Sequence, residues 1–431
     1  MAELKAGFGL DEITPLVGTP MSGYFKARHV SGVNDPLLVR ALALSDGTTD
    51  VILLSYDLLS MENGDVAAIR QAVSKVTGVD PDNIWTFCTH THTGPSMAAT
   101  FGTPRADSYA AELPAKSARA AKTAWLDLAP AEAKLVSREV GGVAFERRFK
   151  MKDGTVRTNP GVGNPDIVEP MREISTPLTL LAFERDPTRL DIVLAHYPVH
   201  ADMTSGTVAS ADYAGRLCND LTHELPGHPE TLFIRGPAGD INHVDVNATD
   251  RTSQSGIEFV HGVAQTLTKA ALAMWDDRAD VTGAITATRA KYTLERRAVT
   301  EEEARMARNR SMRPNGTDLD LSDDEIWARE VVLLSQMDME LERETAVLTI
   351  GDVALAAVPG ELFSELGERI VAESPHSFTF VSDCANGKQG YLPAIQNYDQ
   401  QGYEERPARS SPHAPGSGEK VVEETVKLFK R

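Results

Sequence analysis

Two histidines near the end of an apolar run are the residues best suited to chemistry in this sequence. Thr89-His90-Thr91-His92-Thr93-Gly94-Pro95 follows a β-rich stretch that begins at Ile84. Residues two apart on a strand point to the same face, so a strand over Ile84–His92 would bring His90 and His92 to one point. Neutral imidazoles in that arrangement suit zinc or another borderline divalent metal. The alternative is one core histidine and one solvated histidine.

A second histidine segment closes another apolar run. His196-Tyr197-Pro198-Val199-His200-Ala201-Asp202 ends the strand predicted over Asp191–His200. His200 lies at the strand's exit and is the favoured ligand, whereas His196 points with it only if the strand stays regular through Pro198. Taken in isolation, a loop histidine bonded to a backbone carbonyl is the commoner structure.

A carboxylate follows a third apolar run, predicted as a strand over Ala346–Pro359, in Val358-Pro359-Gly360-Glu361. A carboxylate there is costly unless it is paired or metal-bound, although Glu361 would also suit the first turn of a helix over Leu362–Val371. Two neutral histidines and one glutamate leave a single net positive charge on Zn²⁺, which preserves the Lewis acidity that ionises a bound water. This donor set is typical of a hydrolase.

Two other polar residues are candidates for contact with a substrate. Asn242 lies in a Gly-rich turn, Gly236–His243, where its amide could face a developing oxyanion. The alternative is a tight connection in which Asp240 caps a helix. Arg147 has the planar guanidinium that binds a carbonyl or carboxylate, although a surface arginine is the commoner outcome.

The elements that would position these residues alternate between strands and helices. This pattern predicts an α/β fold of mixed β-sheets flanked by helices, forming one large catalytic domain over residues 1–431. The further predicted strands are Leu38–Leu44, Asp50–Asp57, Leu178–Phe183, Thr231–Arg235 and Ser377–Asp383, and the predicted helices are Asp65–Val76, Ala110–Leu126, Ala214–Leu225 and Phe259–Trp275.

Three segments stand apart from this alternation. Leu294–Leu341 is charged and helix-prone, with Ser322 placed to cap a helix, and it is interpreted as a helical excursion rather than core. Residues 405–431 read as a Pro/Ser-rich loop followed by a final helix. Gly7-Phe8-Gly9 has no preceding strand and is therefore not interpreted as a dinucleotide loop.

Composition excludes several classes of function. The 431 residues carry 43 Lys+Arg and 62 Asp+Glu, a formal net charge of −19, which argues against nucleic acid or an anionic membrane as partner. No apolar run approaches the ~20 residues of a membrane span, and no secretory signal is recognisable, so a cytoplasmic protein acting on a small molecule is expected. Cys88, Cys218 and Cys384 are expected to be free thiols. The sequence does not indicate an oligomeric state.

In combination, these segments resemble the catalytic domain of the neutral, non-lysosomal ceramidase family. The resemblance extends in order along nearly the whole chain. It is carried by Asp11–Pro15, Pro20–Tyr24, Asn34–Leu42, Thr89–Pro95, Val199-His200, Ser210-Ala211-Asp212-Tyr213-Ala214-Gly215, Pro359–Leu362, Gly390-Tyr391-Leu392 and Tyr398–Glu404. Two features depart from the family. Gly239-Asp240-Ile241-Asn242-His243 lacks the family's serine, and the sequence ends near Arg431 without room for the C-terminal immunoglobulin-like domain.

The resemblance implies one zinc ion per chain, held by His90, His200, Glu361 and Tyr391. It places His92 beside the metal and Arg147 near the substrate. Tyr391 would either ligate the metal or donate a hydrogen bond to the tetrahedral intermediate.

The resulting hypothesis is a zinc-dependent amidohydrolase that cleaves a linear amide bond of a small soluble N-acyl substrate with a metal-activated water. His92 would transfer a proton, while Asn242 and Arg147 would orient the carbonyl or bind a polar end of the substrate. The alternatives are an ester or lactone hydrolase, a true ceramide deacylase, and a non-catalytic metal-binding module with the same fold.

Overall fold

The structure is a computed structural model that describes residues 3–249, 253–311, 321–387, 390–400 and 402–430. The helices of this described part are α1 Asn63–Thr77, α2 Asp107–Leu126, α3 Asp212–Glu224, α4 Ile257–Met274, α5 Glu301–Ser311, α6 Asp323–Ser335, α7 Ser364–Ala372 and α8 Ser417–Leu428. Its strands are β1 Lys5–Glu12, β2 Pro20–Met21, β3 Arg28–His29, β4 Gly32–Val33, β5 Leu38–Ser45, β6 Asp50–Tyr56, β7 Ile84–Cys88, β8 Ala129–Glu139, β9 Phe145–Glu146, β10 Arg148–Met151, β11 Val156–Thr158, β12 Ile167–Pro170, β13 Pro177–Arg185, β14 Ile192–Tyr197, β15 Val208–Ala209, β16 Glu230–Arg235, β17 Ile241–Asn242, β18 Ala279–Val281, β19 Ile285–Glu295, β20 Glu340–Ile350, β21 Val353–Ala357, β22 Glu361–Leu362, β23 Phe378–Ser382 and β24 Tyr391–Leu392.

A nine-stranded mixed sheet forms the centre of the molecule. Its order is β16-β14-β13-β8-β1-β5-β6-β7, with β18 paired to β8. Only β14–β16 and β6–β7 are parallel pairs, and the crossover helices α3 and α1 connect them, as parallel neighbours require. The predicted α/β fold with mixed sheets and flanking helices is confirmed, although most of this sheet is antiparallel.

The large sheet curls until its two edges approach each other. Edge strand β16 lies against β5, β6 and β7 at the far end of the sheet order, and Ser55 on β6 donates its hydroxyl to the carbonyl of Phe233 on β16. The loops that follow β7 and β14 are therefore close in space, although these strands are far apart in the sheet order. This closure is what brings together the two histidine segments singled out in the sequence.

A second sheet has the order β19-β20-β21-β23 and corrects one predicted strand. The apolar run Ala346–Pro359 forms two antiparallel strands, β20 and β21, that reverse at Gly351. Gly351 has φ +56, and a Cβ there would lie 1.9 Å from the Thr282 carbonyl oxygen. The turn therefore requires glycine, and the apolar residues on both sides of it hid the reversal in the sequence.

The charged excursion is also bounded differently from the prediction. The segment Leu294–Leu341 begins inside β19 and ends inside β20, and the helices in its described residues, 294–311 and 321–341, are α5 and α6. Ser322 and Glu325 form the capping box at the start of α6. Contrary to the prediction, α6 contributes to the core, because Ile326 and Trp327 are buried.

Gly7 and Gly9 lie inside a strand that the sequence did not indicate. A Cβ on either residue would meet a backbone oxygen of α2, Ala124 at 2.2 Å and Ala120 at 2.3 Å respectively. The two glycines allow α2 to pack directly on β1, so Gly7-Phe8-Gly9 is a packing motif.

Other predictions are confirmed with small shifts of their ends. The four predicted helices correspond to α1–α4, and the final helix is α8. Cys88, Cys218 and Cys384 are buried free thiols. Among the described residues, no helix combines the length and the apolar character needed to cross a bilayer.

Candidate metal centre

His90, His92 and His200 meet in space, but they do so from loops and not from strands. The strands end at Cys88 and Tyr197, so the predicted strands Ile84–His92 and Asp191–His200 are both too long. His90 has φ +67, a strained value for a residue with a Cβ. Strand parity therefore does not explain why His90 and His92 converge. The turn at His90 does, and its backbone N–H donates to the Leu58 carbonyl at 2.9 Å.

The imidazole rings form a compact cluster. Ring centroids lie 5.0 Å apart for His90 and His92, 4.9 Å for His90 and His200, and 5.8 Å for His92 and His200. One potential ligand atom from each residue lies within 4.8 Å of the other two. These three histidines are the group in the described chain that could hold a metal ion.

Each of the three rings is oriented by a backbone carbonyl. Nδ1 of His90, His92 and His200 lies 2.9 Å from the carbonyl oxygens of Leu59, Gly23 and Ile241 respectively. A carbonyl only accepts, so each Nδ1 carries the hydrogen and each Nε2 presents a lone pair when the ring is neutral.

Burial favours the neutral form of two of these rings. It lowers the pKa of His92 to about 4 and that of His200 well below its usual value. The Nε2 atom of His92 is buried without a hydrogen-bond partner among the described residues. Metal-binding histidines are commonly held in this way, with Nδ1 bonded to a carbonyl and Nε2 free.

Glu361 completes the cluster. Its Oε2 atom lies 3.2 Å from Nε2 of both His90 and His200. Burial alone would raise the pKa of Glu361, but the contacts with His90 and His200 hold that pKa well below its usual range. The carboxylate is therefore charged. It belongs to a two-residue strand, and the predicted alternative of a helix starting at Leu362 is not observed, because α7 begins at Ser364.

These atoms fit a zinc ion. Two Nε2 atoms and a carboxylate oxygen face one another, an arrangement that requires positive charge among them, either a proton on a ring or a bound cation. Ligand atoms in tetrahedral sites with Zn–N and Zn–O bonds near 2.1 Å are separated by about 3.4 Å, close to the 3.2 Å separations here. The donor chemistry and its spacing therefore both suit a borderline divalent cation.

Tyr391 is the register partner of Glu361. The short strands β22 and β24 pair in parallel and place the two residues side by side, and both line the same cavity. The pairing needs glycine at position 360, because a Cβ there would lie 2.6 Å from the Gly390 carbonyl oxygen. Burial raises the pKa of the Tyr391 phenol well above its usual value, so this group is a neutral hydrogen-bond donor.

Arg147 is buried beside the cluster and is not a surface residue. Its Nη1 atom lies 3.3 Å from His200 Nε2, and its guanidinium carbon lies 5.2 Å from the Tyr391 ring centroid. Glu404, which is fully buried, accepts a hydrogen bond from Arg147 Nε at 2.7 Å. Sequence reasoning did not assign Glu404 a role, although it is the last residue of the Tyr398–Glu404 motif.

Asn242 is buried near the site but is engaged with other protein groups. Its Nδ2 donates to Asn159 Oδ1, and its Oδ1 accepts the Val244 N–H at 3.0 Å. Asp240 accepts from the backbone N–H and hydroxyl of Ser364 at 2.7 and 2.8 Å. The predicted alternative of a strand-to-helix connection capped by Asp240 is wrong, because β17 follows Asp240 directly and the carboxylate instead binds the first residue of the distant helix α7. A role of Asn242 toward substrate stays a prediction.

His196 does not join the cluster. It lies within β14, and its Nε2 is 2.8 Å from the Val381 carbonyl oxygen. Burial lowers its pKa to about 4, so it is a neutral core histidine, in agreement with the preference for His200.

Hydrogen bonds join several of the sequence motifs around the site. Thr91 Oγ1 donates to the Ser210 carbonyl at 2.7 Å, and Ser210 Oγ donates to Asp35 Oδ2 at 2.7 Å. Gly23, which receives His92 Nδ1–H, has φ +111, and a Cβ there would lie 2.8 Å from the His92 carbonyl oxygen. These motifs form the support that orients the histidines.

A cavity of about 560 Å³ opens onto the cluster. His90, His92, Glu361 and Tyr391 face it, and much of the remaining wall is apolar. The other lining residues are Gly23, Leu59, Ser60, Met61, Glu62, Gly64, Asp65, Ala98, Ala99, Thr100, Phe101, Arg105, Met337, Gly390, Tyr403, Arg409 and Ser410. This volume lies within the range of about 300–1,000 Å³ usual for small-molecule sites.

The fold and the site together define an α/β protein with a buried histidine–carboxylate centre at the base of a cavity. Comparison of the sequence with family models and with curated proteins finds no match.

Comparison with solved structures does find relatives. A neutral ceramidase from Pseudomonas aeruginosa matches with a TM-score of 0.76 at 15% identity, over 100% of this chain and 74% of that protein. A ceramidase complexed with C2 matches with a TM-score of 0.75 at 14% identity, over 100% of this chain and 75% of that protein. The resemblance to the neutral ceramidase family is therefore confirmed in the fold.

Proposed function

We propose that the protein is a zinc-dependent amide hydrolase that acts on a small soluble N-acyl substrate. The observation that carries the proposal is the convergence of His90 Nε2, His200 Nε2 and the charged Glu361 carboxylate at the base of a cavity. The ceramidase fold supports it, because the solved structures that share this fold are ceramidases. One ion per chain would be held by His90, His200, Glu361 and Tyr391.

When bound there, zinc would supply the Lewis acidity that ionises a water and polarises the amide carbonyl. His92 faces the cavity with an unpartnered Nε2, and it would accept a proton from the water and return it to the leaving amine. Tyr391 would donate its phenol hydrogen toward the carbonyl oxygen, and Arg147 would add positive charge on the same side. Glu404 would hold the Arg147 guanidinium in place.

Asn242 can contact the substrate only if its side-chain amide gives up its hydrogen bond to Asn159 and forms one to the substrate instead. We expect Asn242→Ala to lower kcat about tenfold or more with zinc retained if that exchange occurs. An unchanged kcat would assign Asn242 to the support of the site alone.

We also propose a cytoplasmic enzyme. The three cysteines are buried and unpaired, which suits a reducing compartment. Subcellular fractionation in the native host tests this location, and recovery of the protein from the culture medium would contradict it.

The function is tested by turnover of one acyl group presented as an amide, as the matched ester and as a long-chain ceramide. We expect hydrolysis of the short amide, loss of turnover with a chelator and recovery with zinc. A preference for the ester would make the enzyme an esterase, and turnover of ceramide alone would make it a ceramidase. Tight zinc binding without hydrolysis of any of the three would indicate a binding module.

A further inference from the structure

The helical excursion provides a carboxylate that ties together two walls of the cavity. Glu330 on α6 is fully buried. Its Oε1 atom accepts the Phe101 backbone N–H at 3.1 Å and Arg409 Nη2 at 2.6 Å, and its Oε2 atom accepts Arg409 Nε at 2.9 Å. Phe101 and Arg409 come from distant segments of the chain, and both line the cavity.

This contact leaves one edge of the Arg409 guanidinium available. The Glu330 carboxylate accepts hydrogen bonds from Arg409 Nε and Nη2, while Nη1 has no hydrogen-bond partner among the described residues. The Arg409 side chain is one-fifth exposed, with a relative accessibility of 20%. The next residue, Ser410, accepts the Tyr391 backbone N–H at 2.9 Å, so Arg409 is anchored next to the metal side of the cavity.

The charge of this arginine is already compensated. Glu330 neutralises Arg409, and Asp65 neutralises the other arginine of the wall, Arg105, through contacts of 2.8 and 2.6 Å. Glu62 adds a further acidic group to the lining. The wall therefore offers a hydrogen-bond donor without uncompensated positive charge, which favours an uncharged oxygen over a carboxylate.

We infer that Arg409 determines substrate specificity by donating Nη1–H to an uncharged oxygen of the substrate, and that Glu330 positions it. This inference rests on the proposed amide hydrolysis. It defines the substrate class as neutral amides that carry a hydroxyl, ether or second carbonyl apart from the scissile bond. N-acyl amino acids with a free carboxylate are disfavoured.

The inference is tested with amides of one short acyl group, namely the ethanolamide, the propylamide and the glycine conjugate. A hydroxyl is also placed at the end of the acyl group in a second series. We expect the wild type to favour hydroxyl over methyl by about tenfold in kcat/KM at one of these ends, and to disfavour the glycine conjugate. Equal kcat/KM for hydroxyl and methyl at both ends would overturn the inference.

Two variants separate recognition from folding. Arg409→Lys keeps a positive charge opposite Glu330 but loses the forked guanidinium. The ratio of kcat/KM for the hydroxyl compound to that for the methyl compound should therefore fall toward one. Glu330→Gln keeps the shape but removes the compensating charge, so the ratio of glycine conjugate to ethanolamide turnover should rise about tenfold. Arg369→Leu disrupts another Arg–Glu pair, outside this cavity, and should leave both ratios unchanged. Unaltered ratios in Arg409→Lys and Glu330→Gln would also overturn the inference.

Calorimetric binding of the same amides to the zinc-loaded protein distinguishes this inference from the proposed function. If no amide is hydrolysed, the proposed function fails. Recognition by Arg409 is still supported if the hydroxyl compounds bind more tightly than the methyl compounds and Arg409→Lys abolishes that difference in affinity. Equal binding of hydroxyl and methyl compounds refutes that recognition whether or not turnover occurs.

Discussion

The candidate metal centre and the cavity wall are built in different ways. The centre is assembled from short motifs, in which each histidine ring is fixed by a carbonyl oxygen 2.9 Å away and Glu361 by its strand partner Tyr391. The wall includes side-chain contacts between distant segments, among them that of Glu330 with Phe101 and Arg409. Under the proposed function, the chemistry and the choice of substrate would be carried by separable parts of the molecule, so variants of the two regions should have different kinetic effects.

The largest effect is expected from removing a ligand at the centre. His200→Ala should lower kcat/KM on the order of thousandfold, because a metal ion contributes several kcal/mol of transition-state stabilisation. His223→Ala, at an exposed histidine on α3, is the matched control and should retain wild-type turnover. Full activity of His200→Ala would show that the histidine cluster is not the reactive centre.

A smaller effect is expected when the support of Glu361 is displaced. Gly360→Ala would press a Cβ against the Gly390 carbonyl at 2.6 Å, and we expect zinc affinity to fall about 10–100-fold. Gly47→Ala is the matched control, because Gly47 has a similar φ of +80 but nothing within 4 Å of the added Cβ. It should cost about 1–2 kcal/mol of folding stability and leave zinc binding intact. Equal zinc affinity in the two variants would contradict this account of Glu361.

The wall should respond in substrate binding and not in metal content. Trp327 packs against Phe25, Phe101 and Tyr403 at centroid distances of 5.5, 5.6 and 5.7 Å. Trp327→Ala should raise KM about tenfold and lower the free energy of unfolding by about 3 kcal/mol, with zinc retained. Met306→Ala, at an exposed position of α5, should change neither quantity. Loss of zinc in Trp327→Ala would show that the two regions are coupled.

The smallest effect on the site is a pH dependence of stability. Burial raises the pKa of Asp212 to about 6, against the hydrogen bonds that it accepts from Thr204 and Tyr213. Because the folded pKa exceeds the usual value of about 3.9, this group stabilises the fold below about pH 4 and loses that contribution as the pH rises through 6.

Asp212→Asn should remove the part of the pH dependence of the unfolding free energy that comes from Asp212. The free energy of unfolding of the wild type minus that of the variant, measured by urea unfolding between pH 4 and 7, should therefore fall with pH. A difference that does not vary over this range would contradict the raised pKa of Asp212.

The same division explains what the sequence could predict. His90, His92, His200 and Glu361 were identifiable because each follows an apolar run, and the structure brings all four together. The mechanism of convergence was predicted incorrectly, because the positive φ of His90 and the curling of the large sheet leave no local signal.

Long-range pairing accounts for the remaining omissions. Glu330 and Glu404 acquire their roles from Arg409 and Arg147, which lie 79 and 257 residues away. Strand β1 was hidden by its two glycines, which only the packing of α2 explains.

Metal content is the most direct test of the central claim. Elemental analysis is made on protein purified without chelator or affinity metal, for the wild type, for Glu361→Gln and for His223→Ala. The account predicts about one zinc per chain in the wild type and in His223→Ala, with loss of zinc in Glu361→Gln. A folded wild type that binds no metal, even after zinc is added, would contradict the proposed centre and reduce the relationship with the ceramidases to one of fold.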